Sequence, residues 1–207
     1  SLVGSEMCIR YRGSRYGSSN IGQGQRILLE FVSANPTGPL HMGHGRGAAI
    51  GEALARLLRF AGYLVEREYY INDAGRQMKL LAASVYARYQ ELAGRKIEFP
   101  EDGYHGEYII ELAKNIRDHA NSNSLDLSSE EVQALAYQKI LEAIKRDLTQ
   151  FGINFETWYS EASLFSSGKI QEALDDLEKR DLVFREDGAV WFRSSKFKDE
   201  KDRVVRK

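Results

Sequence analysis

Cysteine is nearly absent: of 207 residues only Cys8 carries a thiol, which excludes an internal disulfide framework and suits a reducing compartment. Long apolar runs are missing too. No stretch approaches the ~20 residues needed to span a bilayer, and the first residues lack the basic-then-apolar order of a secretory signal. The expected setting is cytoplasmic, with no membrane partner. There is no excess of one charge either. Lys and Arg number 29 against 30 Asp and Glu, a net charge of −1, so nothing overall announces nucleic acid, although a basic surface can be local. Proline is scarce, at three residues, and internal repeats are absent. With 43% hydrophobic and 29% charged residues, the chain is long enough for one globular domain with an insertion.

What is present concentrates in Glu30-Phe31-Val32-Ser33-Ala34-Asn35-Pro36-Thr37-Gly38-Pro39-Leu40-His41-Met42-Gly43-His44-Gly45. An apolar strand gives way to a Pro/Gly-rich loop, then to two histidines with glycine between and after them, and an amphipathic helix follows. A strand that ends in such a loop and opens a helix is a place to bind phosphate. The helix start offers unpaired N–H groups and a partial positive charge. The imidazoles add donors that follow charge onto a phosphoryl group, and Gly43 removes a side chain where a flat base can lie against the backbone.

Elsewhere the pattern organises the chain as α/β. Residues 1–15 carry no periodicity and are expected to be a non-homologous or disordered segment outside the fold. Tyr16 to Gln25 is a Gly/Ser/Asn-rich loop. Arg26 to Ser33 reads as a buried strand. Gly45 to Ala61 reads as a helix, with Ile50, Ala53, Leu54, Leu57, Leu58 and Ala61 on its core face. Tyr63 to Ile71 is a second strand, so a βαβ unit with parallel strands is expected. Further helices are predicted over Gly75 to Ala93, Gly106 to Ala120, and Ser128 to Phe151, the last opened by a Ser128/Glu131 capping box. Asn154 to Tyr159 reads as a return strand and Ser166 to Arg180 as a helix. Leu182–Phe184 and Ala189–Phe192 flank Asp187-Gly188, a hairpin signal. The last residues are highly charged.

Residue chemistry leaves alternatives open. His41 and His44 suit phosphate; a pair at this spacing also suits a loop surface or a metal, but no further ligand is nearby in sequence and no metal is assigned. Asn35 and Ser33 suit turns. Glu30 lies in an apolar run where an unpaired carboxylate is costly. Asp73 could cap the helix near Gly75. Gln77 and Arg46 read as structural or surface, and Tyr63, Tyr69 and Tyr70 as packing residues.

His41-Met42-Gly43-His44 resembles the HIGH signature of class I aminoacyl-tRNA synthetases. With Glu30 to Gly38, Gly45-Arg46-Gly47-Ala48-Ala49-Ile50-Gly51 and Tyr69-Tyr70-Ile71-Asn72-Asp73-Ala74-Gly75, the chain from about Tyr16 onward is similar to bacterial arginyl-tRNA synthetase. The resemblance implies the first half of a class I Rossmann-like parallel sheet with a mostly helical connective insertion. Residues 16–93 would be the first part of the catalytic domain, 94–151 the insertion, and 152–207 the return to the catalytic domain. It implies arginine, ATP with Mg²⁺, and tRNA(Arg) as partners of a monomeric full-length parent. His41 and His44 would be catalytic, and His41, Gly43, His44 and Gly45 would bind ATP. Ser33, Asn35, His44 and Glu30 would bind arginine, with Glu161 of Trp158-Tyr159-Ser160-Glu161 as a guanidinium-binding carboxylate. The family's KMSKS-like loop, anticodon-binding domain and the helix that completes the guanidinium site have no counterpart in these residues, so a truncated piece, inactive alone, is expected. Two rivals are another HxGH nucleotidyltransferase and a non-catalytic RNA- or protein-binding fragment.

Overall fold

The computed structural model describes residues 9–11, 13–122 and 126–206; residues 1–8, within the segment set apart above, lie outside them. The chain divides into two compact units, 1–161 and 162–207.

In the first unit, β1 (Arg26–Glu30) leads through the Pro/Gly loop to α1 (Met42–Phe60) and then β2 (Leu64–Ile71). The helices α2 (Arg76–Leu92), α3 (Glu107–Ser122) and α4 (Ser129–Gln150) follow, and β3 (Thr157–Ser160) closes the unit. The strand order is β1-β2-β3. Both pairings are parallel, with Ile27 opposite Val65 and Tyr69 opposite Trp158. The expected βαβ unit is present, so the loop after β1 and the residues after β2 and β3 share the carboxyl end of the sheet.

The core joins one sheet face to α2, α3 and α4. Val132, Ala136, Ile140, Ile144 and Leu148 form a buried stripe along α4. They meet Met78, Leu81, Val85 and Tyr89 of α2, and Ile109, Ala113 and Ile116 of α3. Tyr69, Ile71, Phe155 and Trp158 carry this cluster onto the sheet. Helices α2, α3 and α4 therefore share one core with the strands. The Ser128 capping box forms as expected: Ser128 N–H donates to Glu131 Oε2 at 2.8 Å, and Glu131 N–H to Ser128 Oγ at 3.3 Å.

Two expectations are overturned. β1 is a strand at the sheet's edge among the described residues, with Leu28 58% exposed, rather than a buried strand. The face of α1 that meets the sheet is also not the apolar stripe. Ile50 and Leu57 are 63% and 65% exposed, while Ala48, Gly51, Glu52 and Ala55 are buried. The reason is close approach. A Cβ on Gly51 would lie 2.3 Å from the Phe31 ring and 2.8 Å from its Cβ, so only small residues fit here. Glu52 is neutralised rather than excluded: Arg67 Nη1 of β2 reaches its Oε2 at 2.8 Å, and Arg56 Nε its Oε1 at 2.7 Å. Arg67 also holds Glu156 at 2.6 Å. That bond outweighs burial, which pushes the other way, and holds the Glu156 carboxyl down at about 2.

In the second unit, the expected helix 166–180 forms as α6 (Lys169–Lys179), starting after Gly168 at φ 76°, and a short helix, α5 (Ala162–Ser166), precedes it. The hairpin forms as β4 (Val183–Glu186) and β5 (Ala189–Phe192). Asp187 and Gly188 both take positive φ, 49° and 75°, as a two-residue turn of this twist requires. A further strand, β6 (Arg203–Arg206), pairs antiparallel with β5 in the charged segment where none was expected.

The packing of α1 predicts opposite effects at two glycines. Gly51→Ala, forced against Phe31, should cost roughly 1–3 kcal/mol. Gly47→Ala, with nothing within 4 Å of its added methyl, should stabilise by roughly 0.5–1 kcal/mol. Urea unfolding of both variants checks the pair; a stabilising Gly51→Ala would refute the close approach.

Candidate active site

The helix start is closed by the two histidines themselves. His41 is the N-cap of α1, and its Nδ1 accepts from Gly43 N–H at 3.1 Å. His44 Nδ1 in turn accepts from His41 N–H at 3.2 Å. The rings stack with centroids 3.7 Å apart and 21° between planes. This is a capping box built from imidazoles, with the roles of Ser and Glu taken by His and His. Helix α1 therefore begins at Met42 rather than at the expected Gly45. Gly43 is needed for the first ring, because a Cβ there would come 2.9 Å from His41 Cε1.

The cap decides what the rings can do. With each Nδ1 accepting a backbone N–H, a neutral imidazole carries its proton on Nε2. Both rings then offer an N–H donor that no helix group uses. Burial, and secondarily the neighbouring His41, lowers the His44 pKa below its ordinary 6.5. His44 is thereby a neutral donor at physiological pH.

The loop before the histidines is gripped from several sides. Val32 and Ser33 turn the chain out of β1 at φ 69° and 41°, a conformation that a β-branched residue adopts only under constraint. Ser33 Oγ accepts from Tyr70 N–H at 3.1 Å. The hydroxyl of Tyr69 donates to Ala34 O at 2.9 Å; burial raises this buried tyrosine to about 12. Asn35 Nδ2 donates to Gln77 Oε1 at 2.6 Å. The Tyr108 hydroxyl of α3 donates to Thr37 O at 2.8 Å. Asn35, Thr37, Gly38, Pro39, His41 and His44 then line a cleft of about 380 Å³ together with Tyr104 and Tyr108.

A second group lies where β2 and β3 end. Glu161 N–H donates to Ile71 O at 2.9 Å, and its carboxylate lies close enough to the Tyr70 hydroxyl to act on its pKa. Burial first, then Glu161, raises the Tyr70 pKa, and Asp73 adds to it. Asp73 Oδ2 accepts from Ser160 Oγ at 2.7 Å and from the Tyr137 hydroxyl of α4 at 3.0 Å. Two carboxylates thus flank Tyr70, an arrangement suited to a cationic group.

Of the residues picked out in the sequence, Asn35, His41 and His44 come together in the cleft, and Glu161 stands at the sheet's carboxyl end with Asp73. Ser33 joins the loop to β2. Glu30 is exposed at the end of β1, in register with Glu68, so the cost of burying it does not arise. Asp73 is not a helix cap: Gly75 takes that position with no side-chain cap bond. Tyr69 and Tyr70 do more than pack. Sequence reasoning missed Tyr108 and Tyr137, which arrive from α3 and α4, and Gln77; nothing in their local sequence marks them.

The family model described as tRNA synthetases class I (R), catalytic domain, matches residues 9–207. The arginine--tRNA ligase of Nitratidesulfovibrio vulgaris is 50% identical over 198 residues, 94% of this chain and 36% of that protein. That of Geobacillus kaustophilus is 49% identical over 199 residues, 93% of this chain and 35% of that protein. A Campylobacter jejuni chain solved as an arginyl-tRNA synthetase candidate superposes with a TM-score of 0.81 at 37% identity, covering 95% of this chain and 44% of its own. Thermus thermophilus arginyl-tRNA synthetase superposes with a TM-score of 0.63 at 25% identity, covering 97% of this chain and 35% of its own. The chain thus spans about a third of the length of the curated relatives it matches.

The cap has a pH signature. Its folded-state pKa at His44 lies below the ordinary 6.5, so the cap's stability is fully present above 6.5 and is lost as pH falls through the lowered value. Long-range ¹H–¹⁵N spectra at pH 8 should show both rings protonated on Nε2, with His44 titrating below 6.5. A proton on Nδ1 of either ring at pH 8 would contradict the cap.

Proposed function

This chain belongs to the class I (R) tRNA synthetase catalytic-domain family, and we propose that it is the part of an arginine--tRNA ligase that holds ATP and arginine for adenylate formation. The observation that carries this is the pair of imidazoles whose Nδ1 atoms are both engaged by backbone N–H groups. Such rings offer Nε2–H donors at a helix start, where the backbone dipole already favours negative charge.

In the proposed reaction the arginine carboxylate attacks the α-phosphorus of ATP. The bond to the bridging oxygen breaks, and pyrophosphate leaves with its electron pair. Negative charge rises on the α-phosphoryl oxygens as the bond changes proceed. His41 and His44 donate to those oxygens, and Gly43 and Gly45 let the nucleotide approach the backbone. A 3′-terminal ribose hydroxyl of tRNA(Arg) then attacks the adenylate carbonyl and releases AMP. The protein contributes position and electrostatics rather than covalent chemistry.

For arginine, we assign Asn35, with Ser33 and His44 close by, to the amino-acid end. Glu161, beside Tyr70, takes the guanidinium, since a planar cation with forked donors wants a carboxylate. Glu30, exposed at its strand end, keeps only the resemblance as support. The cleft offers imidazoles and amides rather than carboxylates, a donor set for phosphate; Mg²⁺ would enter on the nucleotide's own phosphate oxygens. No helix among the described residues is long and apolar enough to cross a membrane, and a cytoplasmic site of action accords with the lone cysteine. We retain the division into nucleotide-binding residues 16–93, insertion 94–151, and a return to the catalytic domain from 152 onward.

In the natural full-length polypeptide, His41→Ala and His44→Ala should each lower the rate of arginine-dependent ATP–pyrophosphate exchange by about 10²–10³, with arginine affinity changed far less. Exchange that is unchanged in both variants would sink the assignment. Exchange that proceeds with another carboxylic acid in place of arginine would favour a nucleotidyltransferase of another substrate class.

A further inference from the structure

We infer that Gln77 is a positioning residue that fixes which end of the Asn35 carboxamide faces the cleft; this rests on the arginine-activating reading above. The backbone around Asn35 is already held. The carbonyl of Ala34 accepts the Tyr69 hydroxyl at 2.9 Å, Thr37 N–H donates to Asn35 O at 2.8 Å, and Pro36 is fully buried. What stays free is the terminal torsion of the Asn35 side chain, which is two-fold and soft. Gln77, in the first turn of α2, removes that freedom by accepting from Asn35 Nδ2 at 2.6 Å.

A carboxamide is a donor on one branch and an acceptor on the other. With the nitrogen committed to Gln77, the oxygen is the branch left for a ligand. This matters because the imidazoles of the cleft are donors: their two Nε2–H groups suit phosphoryl oxygens. Arginine brings a cationic ammonium next to its carboxylate, and the ammonium needs an acceptor. An Asn35 turned the other way would aim an N–H at that cation. Gln77 touches Asn35 rather than the substrate, so it acts through orientation.

The test uses three substitutions in the natural full-length polypeptide, with arginine-dependent ATP–pyrophosphate exchange as readout. Gln77→Met removes the acceptor at similar length. It should raise KM for arginine roughly three- to tenfold, the range of one ordinary hydrogen bond, with kcat and KM for ATP nearly unchanged. Gln77→Glu keeps an acceptor and should restore KM for arginine. Gln77→Lys supplies a donor, turns the amide over, and should raise it beyond the Met variant. Wild-type KM for arginine in both the Met and Lys variants overturns the inference. So does a rise in KM for ATP equal to that for arginine, which would mark a merely structural role. If the Lys variant does not fold, the Met–Glu contrast decides alone. No exchange by the unsubstituted protein would overturn the underlying reading, and this inference with it, whereas robust exchange indifferent to Gln77 overturns only the inference.

Discussion

The site depends on one constraint: two imidazoles close the first turn of a helix by accepting its own backbone N–H groups. Ordinary caps use a hydroxyl or a carboxylate, which satisfy the backbone and are then spent. An imidazole has a second nitrogen. When Nδ1 of His41 and His44 accepts from Gly43 and His41 N–H, the tautomer is chosen and the other nitrogen becomes a donor. One interaction thus ends the loop, starts α1, orients two rings and sets their proton positions. It also explains the glycine between them, since a Cβ at 43 would strike the capping ring.

The cap is held in place by the hydrophobic core through tyrosines. Tyr69 is fully buried among Phe155 and Trp158, and its hydroxyl emerges at Ala34. Tyr108 packs at the top of α3 and its hydroxyl reaches Thr37. Each has an apolar body that pays for its burial and a polar tip that ends on a loop carbonyl. The loop is therefore part of the packed unit, not an appendage. Tyr137 does the same for the acidic end, where its hydroxyl and Ser160 Oγ share Asp73 Oδ2. Helices α3 and α4 thus brace both ends of the proposed substrate site.

The parallel βαβ unit was legible because a period-3.6 helix lies between two short strand-like segments, and the Asp187-Gly188 hairpin because its turn needs two positive φ values. Asn35, His41 and His44 were legible because their chemistry is local in sequence. Three things were not. The face of α1 was misjudged because amphipathicity reports where apolar residues lie; the sheet instead accepts small residues beside an Arg67–Glu52 ion pair, joined across β2 and α1. The partner role of Gln77 is a contact between distant positions that no local pattern encodes. Glu30 looked buried because its strand is apolar, but the edge position of β1 leaves its end in solvent.

The central claim is that His41 and His44 keep Nδ1 on the backbone and present Nε2–H to the α-phosphoryl group. Its most direct test is a crystal structure of the natural full-length polypeptide with a sulfamoyl analogue of arginyl-adenylate, whose sulfonyl oxygens stand in for the α-phosphoryl oxygens. The account predicts an Nε2 of His41 or His44 at about 2.7–3.1 Å from a sulfonyl oxygen, with both Nδ1 contacts to backbone N–H intact. A ring that leaves its cap to meet the ligand through Nδ1, or an analogue whose sulfonyl group binds away from both imidazoles, would contradict it.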